Sequence, residues 1–69
     1  MPGSVARVTE LSAMSETSFE DAIKVAIQRA SQTLRGLRSA WIKEQEVLIG
    51  ENGQITGYQV NLLVTFVLE

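Results

Sequence analysis

The side chains with the clearest chemical potential lie close together, between residues 37 and 49. Glu44 and Glu46 are two positions apart, so both carboxylates share one face if the segment is a strand. Trp41, the only tryptophan of the chain, precedes them and offers a large aromatic surface. The segment therefore presents two kinds of candidate site, one for carboxylate or cation chemistry and one for stacking on a planar ligand.

Catalysis by the carboxylate pair is disfavoured by the residue types that the chain lacks. The sequence contains no histidine, no cysteine and no glycine-rich phosphate loop. The residues needed for a catalytic triad, a thiol nucleophile or nucleotide triphosphate chemistry are therefore absent. Nothing gives Glu44 and Glu46 the different environments that two catalytic carboxylates need. We expect a protein that is not an enzyme, with these glutamates on a solvated surface or near a hard cation shared by symmetry-related copies.

Trp41 has two interpretations. It is an anchor in a subunit interface, where tryptophan is enriched, or it is a plate for a planar ligand whose edge meets the amides of Gln45 and Gln59. Strict alternation places four side chains of the segment on one face: Ser39, Trp41, Lys43 and Gln45. The other face then receives the intervening side chains: Ala40, Ile42, Glu44 and Glu46.

Three strands and one helix are predicted to position these side chains. Residues 5–11 are rich in β-branched side chains and predict a first strand, with a polar connection over residues 12–18. From residue 19 to about 35, apolar side chains recur every three or four positions, which predicts an amphipathic helix. Thr17 or Ser18 is its N-cap.

The second half of the chain predicts a hairpin. Gly36 is expected as the C′ residue of the helix, after which residues 37–49 form the second strand. The turn is centred on Asn52-Gly53, because both residues tolerate positive φ, and the third strand covers residues 54–69. Its core face is formed by alternate side chains: Tyr58, Val60, Leu62, Val64, Phe66 and Leu68. The fold class is α+β, with a β-α-β-β order and a three-stranded antiparallel sheet on one helix.

Chain length indicates a protein that assembles. The 69 residues form one domain, and a domain of this size buries only about 60% of the surface that its unfolded chain exposes. Disulfides and the usual zinc ligands are absent, so oligomerisation is the remaining source of stability. Long strands also leave edges that pairing with other copies would cover. We expect a symmetric homo-oligomer.

Charge and hydropathy exclude two classes of partner. The net charge is −2 and no basic cluster occurs, which is unlike a nucleic-acid-binding protein. The longest apolar run falls well short of the roughly 20 residues that a membrane span needs, and the N-terminus does not resemble a secretory signal. We expect a cytoplasmic protein that binds neither nucleic acid nor membrane.

The order of elements and several segments together resemble the dodecin family. The similarity covers essentially the whole chain and rests on four segments: residues 15–22, 29–31, 58–60 and 64–69. It implies a hollow spherical homododecamer built from trimers, which binds flavins such as riboflavin or FMN in pairs on symmetry axes. The implied role is storage or buffering of flavin and quenching of its photochemistry, without enzymatic activity.

The resemblance also assigns residues to the flavin site. In flavin-binding dodecins a tryptophan early in the second strand stacks on the isoalloxazine, and alignment places Ser39 at that position. Trp41 stands two residues later on the same face, roughly 6.5 Å along the strand, where it can stack on a shifted ligand. Gln59 falls on the flavin-contacting glutamine of the family, and Gln45 is a further candidate contact.

The alternative is a dodecin-like assembly without flavin. Some family members lack the stacking tryptophan and are associated with calcium or have no known ligand. Glu44 matches an acidic position that lies near bound cations in some relatives. The alternative function is therefore a structural or divalent-cation-binding assembly in which Trp41 packs in an interface.

Overall fold

The helix and the strands follow one another in the order β-α-β-β. A computed structural model describes residues 3–68, in which strand β1 spans Ala6–Ser15, helix α1 Phe19–Thr33, strand β2 Leu37–Ile49 and strand β3 Ile55–Val67. All strand pairs are antiparallel, and the order β1-β3-β2 makes β3 the central strand. The predicted α+β fold is therefore confirmed.

Small side chains on α1 allow close packing on the sheet. Ala22, Ala26 and Ala30 recur every four residues, so they share one face of the helix, and all three are buried. Three side chains of β3 are the largest that are fully buried: Val60, Leu62 and Val64. The helix packs mainly against β1 and β3. Within the described residues no helix is long and apolar enough to cross a membrane.

Strand β1 is longer than the sequence predicts. The prediction ended this strand at Leu11, but pairing with β3 continues to Ser15, which lies opposite Tyr58. Leu11 and Ala13 pack against the core, whereas Ser12 and Met14, which follow them in turn, are exposed, as alternation requires. Pairing with the central strand satisfies the backbone there, and this outweighs the weak strand propensity of the segment.

Hydroxyl groups fix the junction between β1 and α1. The Oγ of Ser15, a buried residue, donates to Asp21 Oδ2 at 2.6 Å and accepts from the backbone N–H of Thr17 at 2.9 Å. The Oγ of Ser18 accepts from the backbone N–H of Asp21 at 3.0 Å, so Ser18 is the N-cap. Phe19 then packs edge-on against Tyr58, with ring centroids 5.1 Å apart.

The link from α1 to β2 differs from the prediction. The helix ends at Thr33, and Leu34 is its C-cap with extended backbone angles. Gly36 is therefore not the C′ residue. It lies in the link with φ +74°, and its carbonyl accepts from the backbone N–H of Val67 at 3.0 Å. This hydrogen bond connects the start of β2 to the end of β3. The left-handed backbone conformation of Gly36 favours glycine at this position.

The central residues of the hairpin turn are Glu51 and Asn52, one position earlier than the predicted pair Asn52-Gly53. Gly50 N–H donates to Gln54 O at 2.8 Å, and Gly53 N–H donates to Gly50 O at 3.0 Å. Gly53 has φ +82°, whereas Asn52 does not have positive φ. Three residues, 51–53, therefore form a loop that ends in a left-handed glycine. Strand β3 then spans Ile55–Val67, and the predicted strand end at Glu69 lies outside the described residues.

Alanine substitutions at the two left-handed glycines should destabilise the protein to different extents. Both Gly36→Ala and Gly53→Ala force a left-handed alanine, which costs about 1–2 kcal/mol. At Gly36 the new Cβ would also lie 3.0 Å from Val67 O, whereas at Gly53 no atom lies within 4 Å. Urea unfolding at matched protein concentration should show the larger loss for Gly36→Ala. Equal losses would contradict this packing of the link.

Candidate functional site

The sheet has one face without a helix. Side chains of directly paired residues point to the same side of a sheet, so the register identifies each face. Val60, Leu62 and Val64 pack with α1, and the alternate residues of β3 point away from it. We call this second side the outer face. Its members on the three strands are Ala6, Val8, Glu10, Ser12, Met14, Ser39, Trp41, Glu44, Glu46, Leu48, Gly57, Gln59, Asn61, Leu63, Thr65 and Val67.

A β-bulge at Lys43 changes which side chains of β2 belong to the outer face. Ile42 pairs with Leu62, but Glu44 pairs with Asn61, so β2 has one extra residue, Lys43, at this point. Strict alternation predicted Glu44 on the face opposite to Trp41. That prediction is wrong, because an extra residue reverses the alternation for every residue that follows it until the next irregularity.

The bulge separates Gln45 from Trp41 and brings two carboxylates to the outer face. Gln45 pairs with the buried Val60 and so points to the helix side, whereas in a regular strand it would pair with Gln59. The prediction that Gln45 shares the face of Trp41 is therefore wrong. Glu46 pairs with Gln59 instead, next to the pair of Glu44 with Asn61 on the same face. The predicted placement of both glutamates on one face is confirmed, but it is the face of Trp41.

Trp41 is the largest exposed aromatic side chain of the outer face. It lies on the edge strand β2, pairs with Leu63 of the central strand and is 68% exposed. Ser39 pairs with Thr65 on the same side, so the predicted common face of Ser39 and Trp41 is confirmed. The indole therefore presents apolar area that nothing in the described chain covers.

Polar side chains next to Trp41 form a hydrogen-bonded patch. Asn61 Nδ2 donates to Glu44 Oε1 at 2.9 Å, and Gln59 Nε2 donates to Ser12 Oγ at 3.1 Å. An open cavity of about 270 Å³ is lined by these amides and glutamates. The cavity lining consists of Glu44, Gln45, Glu46, Gln59 and Asn61.

Strand β1 contributes residues that the sequence analysis missed. Ser12 accepts from Gln59, and Glu10 pairs with Lys43 across the central strand, with 3.3 Å between Nζ and Oε2. Ending the strand at Leu11 excluded Ser12 from the sheet. The alternation of Leu11 and Ala13 with polar residues was the signal that could have placed Ser12 on the outer face.

One chain does not bring all predicted site residues together. Trp41 pairs with Leu63, which lies four residues from Gln59 along β3. Trp41 and Gln59 are therefore roughly 13 Å apart along the sheet. Ser39 lies further still from Gln59. An isoalloxazine stacked on Trp41 therefore reaches a Gln59 edge contact most directly through a second copy of the chain.

A complete metal site is not present within one chain. Among residues 3–68, no group of three or more His, Cys, Asp or Glu side chains is arranged to hold a metal ion. Glu44 and Glu46 alone supply too few ligands for calcium, which takes six to eight oxygens. A cation at Glu44 therefore requires ligands from other copies of the chain or from solvent.

Comparison with known proteins identifies relatives over nearly the whole chain. The family model described as Dodecin matches residues 5–69. The protein named Dodecin from Thermus thermophilus is 45% identical over 67 residues, covering 97% of this chain and 96% of that protein. The protein named Calcium dodecin from Mycobacterium tuberculosis is 36% identical over 63 residues, covering 91% and 87%.

Solved structures give the same result. Dodecin from Streptomyces coelicolor superposes with a TM-score of 0.91 at 36% identity, covering 100% of this chain and 97% of that chain. The structure described as the calcium-chelating antigen calcium dodecin from M. tuberculosis, with a novel calcium-binding site, gives a TM-score of 0.82 at 33% identity, covering 96% and 93%. The β-α-β-β arrangement with its single helix is therefore shared with these structures.

The Lys43–Glu10 ion pair should contribute little to stability. Both side chains are about half exposed, at 48% and 49%, and exposed ion pairs contribute below about 1 kcal/mol. A double-mutant cycle with Lys43→Met and Glu10→Gln, followed by urea unfolding at low and high salt, should give a coupling energy in that range that falls with salt. A large coupling that is insensitive to salt would mean that another copy shields the pair.

Proposed function

This chain belongs to the dodecin family, and from that premise we propose that it is a non-enzymatic flavin-binding protein that stores and buffers riboflavin or FMN. In this proposal it acts in the cytoplasm as a spherical homododecamer built from trimers. Binding at a stacked aromatic also quenches the photochemistry of the flavin, because an excited flavin accepts an electron from the adjacent indole.

The exposed Trp41 is the observation that carries the proposal. An indole that is 68% exposed on the edge strand β2 of an uncovered sheet face leaves apolar area in contact with water. A planar ligand covers that area and gains stacking with the ring. The isoalloxazine of a flavin has the size and flatness for such a contact, and its edge carries hydrogen-bonding groups that an amide such as Gln59 complements.

The geometry favours a site shared between copies of the chain. Trp41 and Gln59 are roughly 13 Å apart along the sheet, so a ligand on one Trp41 meets the amide of another protomer. Two outer faces brought together by a symmetry axis would present two indoles, which suits flavins bound in pairs. Assembly and ligand binding are then coupled, because the site is incomplete in a monomer.

Ser39 and Gln45 have secondary places in this proposal. Ser39 stands one step from Trp41 on the outer face and leaves room for a ligand shifted toward the indole. Gln45 pairs with the buried Val60 but still lines the cavity beside Gln59, so it is a secondary candidate contact for the ligand edge. Trp41 and Gln59 are therefore the principal residues.

Substitution of Trp41 tests this function directly. Trp41→Ala should weaken riboflavin binding roughly 10- to 100-fold, since stacking on an aromatic side chain contributes about 1–3 kcal/mol. Trp41→Phe is the matched control, because it keeps an aromatic face and should retain most of the affinity. Flavin fluorescence titration measures both variants, and size-exclusion chromatography with light scattering follows the assembly.

The two measurements together separate flavin binding from interface packing. An intact assembly that loses flavin affinity in Trp41→Ala supports the flavin site. Dissociation of the assembly in Trp41→Ala, with no flavin binding by the unmodified protein, would instead assign Trp41 to a subunit interface.

A second candidate function is cation binding by a flavin-free assembly. Glu44 and Glu46 lie on neighbouring rows of the outer face, beside the oxygen atoms of Gln59 and Asn61. Oxygen ligands of this kind suit calcium. Convergence of several copies would supply the ligands that one chain lacks, and a relative 36% identical to this chain is named Calcium dodecin.

Calcium titration tests the second candidate. If copies share a calcium ion at Glu44, isothermal titration calorimetry should detect binding to the assembly, and Glu44→Gln should weaken it at least roughly tenfold through loss of a charged ligand. Glu20→Gln, on the first turn of α1, is the control with the same change of charge. Absence of heat in the unmodified assembly would exclude this site.

A further inference from the structure

The ionisable side chains of the outer face are predominantly acidic. β1 contributes Glu10, and β2 contributes Glu44 and Glu46, whereas the ion pair with Glu10 places one cation, Lys43, beside them. Three carboxylates and one ammonium leave this face with a formal charge of −2. The central strand β3 adds no ionisable group to the outer face between Gln59 and Val67.

The hydrogen-bond donors of the face are already engaged. Lys43 Nζ lies 3.3 Å from Glu10 Oε2, and the amide of Asn61 donates to Glu44. The amide of Gln59 donates to Ser12. The face therefore offers mainly carboxylate and amide oxygens to a ligand, which accept hydrogen bonds from N–H and O–H groups and repel phosphate oxygens.

These charges lie close enough to Trp41 to act on a stacked ligand. Glu10 and Trp41 both pair with Leu63, from opposite sides, so their strand positions are two strand spacings apart, roughly 10 Å. Glu44 pairs with Asn61, the next outer-face residue of β3, so it stands roughly 7 Å from Trp41 along the sheet. The Debye length at physiological salt is about 8 Å, so screening leaves part of the repulsion at the shorter distance and less of it at the longer one. Glu46 lies beside Gln59, the proposed contact to the ligand edge.

From this distribution we propose that the outer face selects the uncharged flavin, riboflavin, and disfavours the phosphorylated flavin, FMN. The inference rests on the proposed flavin function and adds the ligand class to it. The imide N–H and the ribityl hydroxyls of riboflavin donate to the oxygens of the face. The phosphate of FMN adds a charge of about −1.5 to −2 near three carboxylates.

Paired titrations of the intact assembly test the selectivity. We expect riboflavin to bind roughly three- to tenfold more tightly than FMN at low salt, with the ratio falling as salt is raised. The double variant Glu10→Gln/Glu46→Gln removes two carboxylates and frees Lys43, so its ratio should fall toward one. The control Glu20→Gln/Glu51→Gln changes the total charge equally on the helix and in the hairpin loop, and should keep the ratio of the unmodified protein.

The outcomes distinguish this inference from the function on which it rests. Binding of neither flavin would overturn the flavin function itself. Equal affinities, or tighter binding of FMN, would keep the flavin function and overturn the selectivity. A loss of FMN affinity in Arg38→Gln would then locate the phosphate at Arg38, the bulged residue between Leu37 and Ser39. A ratio that falls equally in the control double variant would also overturn the role of the outer face.

Discussion

A single helix can cover only one face of a sheet, and this constraint organises the whole protein. The alanines of α1 bring the helix close to β3, where Val60, Leu62 and Val64 become fully buried. β3 can contribute this core because it is paired on both edges. Each residue of β3 that points into the core leaves a neighbour pointing outward, so a well-packed helix side necessarily creates a long uncovered outer face.

The composition of that outer face suits a ligand or another copy of the chain better than open water. Trp41 on the edge strand β2 and Leu63 on the central strand place apolar area side by side, and the neighbouring residue pairs carry amides and carboxylates. Exposed apolar area with a polar surround is characteristic of interaction sites. Since Trp41 and Gln59 stand roughly 13 Å apart along the sheet, a site shared between copies brings them to one ligand most directly, and binding and assembly are then expected to depend on each other.

A one-residue bulge decides the chemistry of this surface. Without the extra residue at Lys43, Gln45 would stand beside Gln59, and the carboxylates of Glu44 and Glu46 would point to the helix side. The outer face would then carry three amides, of Gln45, Gln59 and Asn61, and would keep the carboxylate of Glu10 alone among these glutamates. With the bulge it carries both carboxylates, and this change of charge is the basis for the expected preference for an uncharged flavin. The pairing of Lys43 with Glu10 keeps the bulged residue over the same face.

The amino-acid sequence by itself determined the elements, because the signals for them are local. The recurrence of apolar side chains every three or four positions from residue 19 to about 35 predicted the packed helix face, alternation predicted the buried side of β3, and family resemblance predicted the fold. Only the tertiary structure decided which side chains share the outer face. The extension of β1 to Ser15 depends on pairing with β3, and the position of Gln45 depends on a bulge that alternation in Ile42, Lys43 and Glu44 does not reveal. Register is a property of two strands together, so a single strand read along the chain does not contain it.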